Sequence, residues 1–174
     1  PENNFCVLSA TSNQQAATLS EGSLKYNGTG NNTDNIQSTF GVSSGKWYWE
    51  VKCLSIQQSE SWSAGIHQTG FPPVLVHWYS GDYVAATHGV AFGIQDNDKK
   101  ITNTAQSAFT SSIAAGDVIQ FRLDLDDNEL SVSVDGTDKG KAWDITANIE
   151  YTPSSTVYNS SSVIYNFGQD STFA

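Results

Sequence analysis

The stretch that decides the fold is Trp47-Tyr48-Trp49-Glu50-Val51-Lys52-Cys53-Leu54. Its odd-numbered residues are apolar or aromatic, and its even-numbered residues are mostly polar, which is the period of two typical of a strand with one buried face. The turn residues Ser43-Ser44-Gly45 come directly before it. The sequence therefore predicts a strand here, with the indole rings of Trp47 and Trp49 both in the core.

The same alternation recurs at Val118–Asp126 and Glu129–Asp135, with Asp127-Asn128 as a tight hairpin turn between them. Asp and Asn tolerate positive φ, so they suit such turns, and Asp135-Gly136 is a second turn signal. We predict further strands at Phe5–Ser9, Ser23–Tyr26, Thr39–Val42, Trp62–His67, Gly89–Gln95, Lys139–Trp143, Thr156–Tyr158 and Ser162–Phe167.

Two segments are expected to be loops, Asn27–Ile36 and Gly70–Thr87, and one short helical turn is expected at Ala142–Ile145. Many short strands separated by turn residues are typical of an all-β sandwich. The 174 residues fit one domain spanning 1–174. The chain has no Met and opens at Pro1, so we expect it to be either a processed chain or an excerpt of a longer protein.

Charge excludes several functional classes. Acidic residues number 18 against 8 basic ones, the net charge is −10, and Arg122 is the only arginine. A nucleic-acid partner is not expected, because binding phosphates requires clustered positive charge. No apolar run is long enough to span a bilayer. Ser, Thr and Asn together make up 51 of the 174 residues, which suits a virion surface or an extracellular location.

Neither catalysis nor metal binding is expected. His67, His77 and His88 show no metal-ligand spacing, and there is no phosphate-binding glycine loop. Acidic clusters at Asp124–Glu129 and Gln95–Asp98 offer oxygen ligands that Ca²⁺ requires, although Asx-rich turns explain both without an ion. We therefore predict no enzyme activity, no metal site and no cofactor. Two cysteines are too few for a disulfide framework, and they are either two free thiols or a single bridge, Cys6–Cys53.

The loop Gly70–Gly89 is unusually rich in aromatic residues. Exposed Trp and Tyr side chains on a loop held by a rigid scaffold are common interface anchors. The alternative is that these rings cap one open end of the sandwich. The predicted binding residues in this loop are His77, Trp78, Tyr79, Asp82 and Tyr83.

Several motifs in order resemble one family. They are Ser43-Ser44-Gly45-Lys46-Trp47-Tyr48-Trp49-Glu50-Val51, Trp62-Ser63-Ala64-Gly65-Ile66, Gly116-Asp117-Val118-Ile119, Leu123-Asp124-Leu125-Asp126-Asp127-Asn128-Glu129-Leu130-Ser131, Asp135-Gly136 and Val163-Ile164-Tyr165-Asn166-Phe167-Gly168-Gln169. Together these resemble the SPRY domain family. The resemblance implies a bent two-sheet antiparallel β-sandwich of the SPRY, or concanavalin A-like, type that serves as a binding module rather than an enzyme. The opening residues Pro1–Leu8 resemble a lead-in to SPRY modules of bacteriophage structural proteins.

Two functional expectations follow from these features. The first is a non-catalytic binding or structural module on a virion surface, in a phage tail fibre or capsid-surface protein, used for host attachment or subunit contact. Its partners are a protein or glycan receptor on a cell surface, or neighbouring virion subunits. The second is a carbohydrate-binding, lectin-like module, because Trp78 and Tyr79 could stack on a sugar ring while Asp82 bonds its hydroxyls.

Overall fold

The computed structural model describes residues 5–12, 17–30, 33–72, 89–103, 105–109 and 112–173. These residues form thirteen strands and no helix. The strands are β1 (Thr18–Ser20), β2 (Lys25–Asn27), β3 (Thr33–Gln37), β4 (Lys46–Ser55), β5 (Trp62–Gln68), β6 (Ala91–Gln95), β7 (Lys99–Thr102), β8 (Ala105–Ala108), β9 (Val118–Asp124), β10 (Glu129–Val134), β11 (Thr137–Asp144), β12 (Tyr151–Tyr158) and β13 (Ser162–Asn166).

The strands form two antiparallel sheets. One sheet has seven strands in the order β1-β2-β13-β4-β9-β10-β11, and the other has six in the order β3-β12-β5-β6-β7-β8. The chain therefore crosses between sheets several times, and its last two strands belong to different sheets. The predicted all-β antiparallel sandwich is confirmed.

The core lies between the inner faces of the two sheets. In the seven-stranded sheet, Trp49 of β4 lies opposite Phe121 of β9 in the strand register, and the two rings stack with centroids 5.1 Å apart and planes 11° apart. The six-stranded sheet contributes Trp62, Ile66 and Ile94, each with no exposed surface. Alternation thus places aromatic and branched side chains on the facing surfaces, as the pattern in β4 and β9 predicts.

One glycine is required by the close approach of β5 and β6. Gly65 lies opposite Gly93 in the register of these strands. A Cβ atom on Gly65 would lie 2.0 Å from the carbonyl oxygen of Phe92. The glycine in the Trp62–Ile66 motif therefore has a packing reason.

The structure corrects four local predictions. Phe5–Ser9 is not a strand and contributes only a bridge from Leu8 to Ser38, and Thr39–Val42 contributes only a bridge from Val42 to Tyr151. The segment expected to be a loop, Asn27–Ile36, contains most of β3, and the expected helical turn at Ala142–Ile145 lies mostly within β11. In the last two segments, pairing with β12 and with β10 respectively overrides the weak local signal.

The predicted Asp135-Gly136 turn is confirmed. Asp135 and Gly136 have φ values of 48° and 73° and connect β10 to β11, with Val134 paired to Thr137. The β9–β10 connection is longer than the predicted two-residue turn, because Asp124 pairs with Glu129 and leaves four residues between them. Asn128, with φ of 57°, supplies the positive φ that closes this hairpin.

Candidate functional site

The five predicted binding residues His77, Trp78, Tyr79, Asp82 and Tyr83 lie outside the described residues, so their role stays a prediction. The described flanks of this segment leave the six-stranded sheet at one end of the sandwich. Gln68 donates its backbone N–H to the carbonyl of Val90 at 2.8 Å, and Thr69 donates to the carbonyl of Glu150 at 2.9 Å.

A pocket of about 200 Å³ opens at this same end of the sandwich. Val42, which lines it, bridges to Tyr151, and Tyr151 pairs with Gln68 at the end of β5. The pocket is lined by Phe5, Cys6, Phe40, Val42, Trp47, Tyr48, Trp49, Pro153 and Phe167. We call it the aromatic pocket.

The aromatic pocket gathers the exposed large hydrophobic side chains of the described chain. Within those residues, three such side chains remain exposed: Phe5 at 55%, Trp47 at 46% and Tyr48 at 55%. All three line this one pocket. Large apolar side chains grouped on the surface are typical of interaction sites, whereas single exposed ones are ordinary.

Trp47 corrects the prediction that both indoles of β4 are buried. Trp49 is buried in the core, but Trp47 is the second residue of β4, at the open end of the sandwich, and its ring lines the pocket. The correct face was therefore predicted, while the position along the strand decided the exposure. Of the other predicted core indoles, Trp62 and Trp143 are buried.

The turn before β4 holds the Trp47 ring. The indole Nε1–H of Trp47 donates to the carbonyl of Ser44 at 2.8 Å. Gly45, with φ of 82°, donates its N–H to Oδ1 of Asp126 at 3.1 Å and accepts from the N–H of Leu125 at 3.0 Å. The Ser43–Gly45 turn is thus bonded to the β9–β10 hairpin, which fixes the exposed indole before any partner arrives.

Tyr48 points to the outer face of the seven-stranded sheet. Its hydroxyl donates to Oε1 of Glu50 at 2.7 Å, and Oε2 of Glu50 accepts from Nδ2 of Asn166 at 2.8 Å. Burial of the hydroxyl and its hydrogen bond to Glu50 raise the pKa of Tyr48 to about 12. The hydrogen bond to the buried Glu50 carboxylate therefore fixes the orientation of the Tyr48 ring, and one side of the ring remains open to solvent.

A second, polar depression of about 430 Å³ adjoins the aromatic pocket on the outer face of β4, β9 and β10. We call it the acidic groove. Trp47 and Tyr48 line both depressions. The acidic groove is lined by Lys46, Trp47, Tyr48, Arg122, Leu123, Asp124, Glu129 and Ser131.

Ion pairs cross the acidic groove and its margins. Lys46 pairs with Asp124, and its Nζ also lies 3.6 Å from Oδ2 of Asp127. Nζ of Lys141 lies 2.9 Å from Oε1 of Glu129. The hydrogen bond from Lys46 lowers the pKa of Asp124 and raises that of Lys46 itself. The lysines along this surface are therefore already partnered by carboxylates.

Arg122 is paired in the same way. Its Nη1 donates to Oγ of Ser133 at 2.5 Å, and its Nη2 pairs with Asp138. A backbone hydrogen bond from Gly140 and the Arg122 guanidinium lower the pKa of Asp138. The only arginine of the chain is thus neutralised locally by a carboxylate.

The acidic clusters do not assemble a metal site in the part of the chain that the structure describes, where no group of three or more His, Cys, Asp or Glu side chains is placed to hold an ion. Asp124 Oδ1 accepts the backbone N–H groups of Asp126 and Asp127, each at 3.1 Å, so this cluster is organised by its own hairpin. In the other cluster Asp96 is buried, and its Oδ2 accepts from the N–H of Ser61 at 3.2 Å.

Both cysteines are free thiols. The described residues form no helix, so no helix among them is long and apolar enough to cross a membrane.

The sequence matches the SPRY domain family over residues 46–170. This match covers well over half of the chain and includes β4 to β13, the strands that carry both depressions. The chain belongs to the SPRY domain family. The family predicted from the motifs is confirmed.

Solved structures show the same fold. This SPRY domain is similar to the SPRY domain of human HERC1, with a TM-score of 0.71 at 18% identity over 94% of this chain and 99% of that one. It is similar to stonustoxin, with a TM-score of 0.70 at 18% identity over 94% of this chain and 27% of that one. It is also similar to the PSpry domain of TRIM65, with a TM-score of 0.67 at 14% identity over 94% and 90% of the two chains.

SPRY domains are generally non-catalytic modules that mediate protein–protein interaction. The site residues that the sequence reasoning missed are Phe5, Trp47 and Tyr48. A signal for two of them was present, because Trp47 and Tyr48 come within three residues of the Ser43–Gly45 turn, at the start of the predicted strand. The first residues of a strand lie at the rim of a sandwich, so a large ring there has less sheet to cover it than a ring in mid-strand.

Proposed function

We propose that this SPRY domain is a non-catalytic interaction module that seats an apolar side chain of a protein partner in the aromatic pocket. The observation that carries the proposal is that the three exposed large hydrophobic side chains of the described residues, Phe5, Trp47 and Tyr48, line that one pocket. Trp and Tyr are the residue types that contribute most to binding energy in protein interfaces.

The pocket is preformed, which favours binding. Trp47 is fixed by its hydrogen bond to Ser44, and Tyr48 by its hydrogen bond to Glu50. A ligand side chain therefore gains contact with rings whose freedom is already restricted, so less conformational entropy is lost on association. Each fully buried apolar side chain of the partner contributes about 1.5 to 3 kcal/mol before those costs.

The proposal is tested by titrating the protein with N-acetyl-phenylalaninamide and N-acetyl-leucinamide while recording ¹H–¹⁵N NMR spectra. We expect the largest shifts at the indole N–H of Trp47 and at backbone amides around Phe40 and Val42. Trp47→Ala should abolish this pattern. Leu54→Ala, at the opposite end of β4, is the matched control and should retain it. Shifts centred elsewhere, or unchanged by Trp47→Ala, contradict the proposal.

We also propose a location, a virion or other extracellular surface, where the module takes part in host attachment or subunit contact. The support is the resemblance of Pro1–Leu8 to the lead-in of phage structural proteins and the composition rich in Ser, Thr and Asn. Trp78 and Tyr79 are proposed as additional anchors, since the flanks of their segment leave the sandwich at the pocket end. Attachment of the labelled protein to candidate host cells tests this. Binding that is equal for the parent and for Trp78→Ala/Tyr79→Ala removes the loop from the site.

A carbohydrate ligand is the second candidate. The observation in its favour is that exposed aromatic faces, Trp47 and Tyr48, stand beside the carboxylate of Asp124. An array of immobilised glycans, probed with and without Ca²⁺, tests it. Absence of signal in both conditions counts against a lectin-like role and leaves the protein-partner proposal unaffected.

A further inference from the structure

We propose that the partner segment recognised at this site is a cationic extended peptide. One of its apolar side chains occupies the aromatic pocket, and its neighbouring Lys or Arg side chains pass over Trp47 and Tyr48 into the acidic groove. The inference rests on the proposed function and adds the chemistry of the partner to it.

The two depressions are adjoining parts of one surface. Trp47 and Tyr48 line both the aromatic pocket and the acidic groove, so the rings form a ridge between them. An extended chain advances about 3.3 Å per residue. Residues next to the one in the pocket therefore reach the groove directly, without a folded domain having to match the whole face.

The charge of this surface selects a cation. Three basic side chains, Lys46, Arg122 and Lys141, lie in or beside the groove, and each is paired. Six carboxylates surround them, which leaves a local net charge of −3. They are Asp124, Asp126, Asp127, Glu129, Asp138 and Asp144.

Several of these carboxylates remain open to a ligand. The side chains of Asp127, Asp138 and Asp144 are 70%, 68% and 84% exposed. The chain as a whole carries −10, so the long-range field has the same sign as the groove and steers cationic segments towards it. An acidic partner is repelled both by the long-range field of the chain and by the local charge of the acidic groove, and this repulsion discriminates against it.

The ridge itself favours a cation. A Lys or Arg side chain within about 6 Å of an aromatic face gains about 0.5 to 1 kcal/mol at an exposed site. Trp47 and Tyr48 are both about half exposed and are held in place by hydrogen bonds. The same two rings can therefore contact the apolar side chain on the pocket side and a cation on the groove side.

The test uses three acetylated and amidated heptapeptides that differ only in charge. The first is Ser-Lys-Lys-Phe-Lys-Lys-Ser, and the other two carry Gln or Glu at the four Lys positions. Isothermal titration of the full chain should give the order Lys, then Gln, then Glu from tightest to weakest. The advantage of the Lys peptide over the Gln peptide should shrink as salt is raised, because exposed charges are screened.

Charge variants then locate the effect. Asp126→Asn/Asp127→Asn should weaken the Lys peptide by about two- to fivefold for each charge removed, as expected for exposed ion pairs. Asp98→Asn/Asp117→Asn removes the same net charge at the opposite end of the sandwich and should change binding less. Lys46→Gln should strengthen the Lys peptide, an outcome that damage to the fold does not produce.

The outcomes separate the two proposals. If all three peptides bind equally and Trp47→Ala abolishes their binding, the cationic partner is overturned and the aromatic pocket remains the site. The tightest binding by the Glu peptide also overturns it. No binding by any peptide, or binding that Trp47→Ala does not weaken, overturns both proposals.

Discussion

The phenol of Tyr48 donates to a carboxylate oxygen of Glu50 at 2.7 Å, although Tyr48 is 55% exposed and Glu50 is 7% exposed. Oε2 of the buried carboxylate accepts a hydrogen bond from Asn166. Its Oε1 accepts from Tyr48, which is an exposed residue. This arrangement couples the stability of the seven-stranded sheet to a residue of the aromatic pocket.

Tyr48→Phe should separate these two roles. The ring remains in the pocket, but Oε1 of Glu50 loses its donor, which we expect to cost about 1 to 3 kcal/mol of unfolding free energy. Urea unfolding measures the loss, and the response of the Trp47 indole N–H to N-acetyl-phenylalaninamide should be retained. An unchanged unfolding midpoint means that the Tyr48–Glu50 hydrogen bond does not stabilise the sheet.

Trp47 and Trp49 offer a matched comparison on one face of β4. Trp49 is 2% exposed and stacks on Phe121, so Trp49→Ala should cost about 3 to 5 kcal/mol. Trp47→Ala should cost much less stability, because 46% of that residue is already exposed, yet it should abolish binding of the apolar probes. Equal destabilisation by the two substitutions contradicts the placement of Trp47 at the rim.

Trp47 and Trp49 also show which features of the site could be predicted from the sequence. Alternation predicts that Trp47 and Trp49 share the inner face, and the structure agrees. Alternation carries no information about where the facing sheet ends, so the exposure of Trp47 could not be predicted from it. The sequence pointed to the aromatic loop instead. The described pocket is built from the opening residues of the chain, the segment before β4, the first residues of β4, one residue of β12 and the residue after β13.

The strands that the sequence missed share a physical cause. In β8, Ala105–Ala108, all four residues are exposed, and in β7, Lys99–Thr102, only Ile101 is buried. β3 was missed because Thr33–Gln37 holds one apolar residue, Ile36, and its buried polar side chains find partners from distant strands. Thr156, for example, donates its hydroxyl to Oδ1 of Asn35 at 2.5 Å. β3 and β8 are the edges of the six-stranded sheet and β7 pairs with β8, so these strands are specified by pairing and not by a local hydrophobic pattern.

The two cysteines should react very differently with iodoacetamide. Cys53 has no exposed surface, and burial raises its pKa to about 12, so its reactive thiolate is scarce. Cys6 is half-buried and lines the aromatic pocket. Mass spectrometry of the native protein should show one adduct, on Cys6, and two adducts after unfolding in urea. Cys6→Ser should take up none when folded, and rapid native labelling of Cys53 contradicts the buried position of β4.

Asp96 should give the protein a distinct pH dependence. Asp96 is 5% exposed, and burial raises its pKa from the ordinary value of 3.8 to about 6. Between about pH 4 and pH 6 the unfolded chain releases this proton while the folded chain keeps it. The contribution of Asp96 is therefore fully present below pH 4 and is lost as the pH rises through 6, by on the order of 2 to 3 kcal/mol.

Asp96→Asn isolates this effect from the other titrating groups. The amide oxygen can still accept the Ser61 N–H, and the side chain no longer ionises. We expect the variant and the parent to have similar unfolding free energies in urea at pH 4, and the variant to be the more stable at pH 7. A difference between the two proteins that is the same at both pH values means that Asp96 does not titrate in this window.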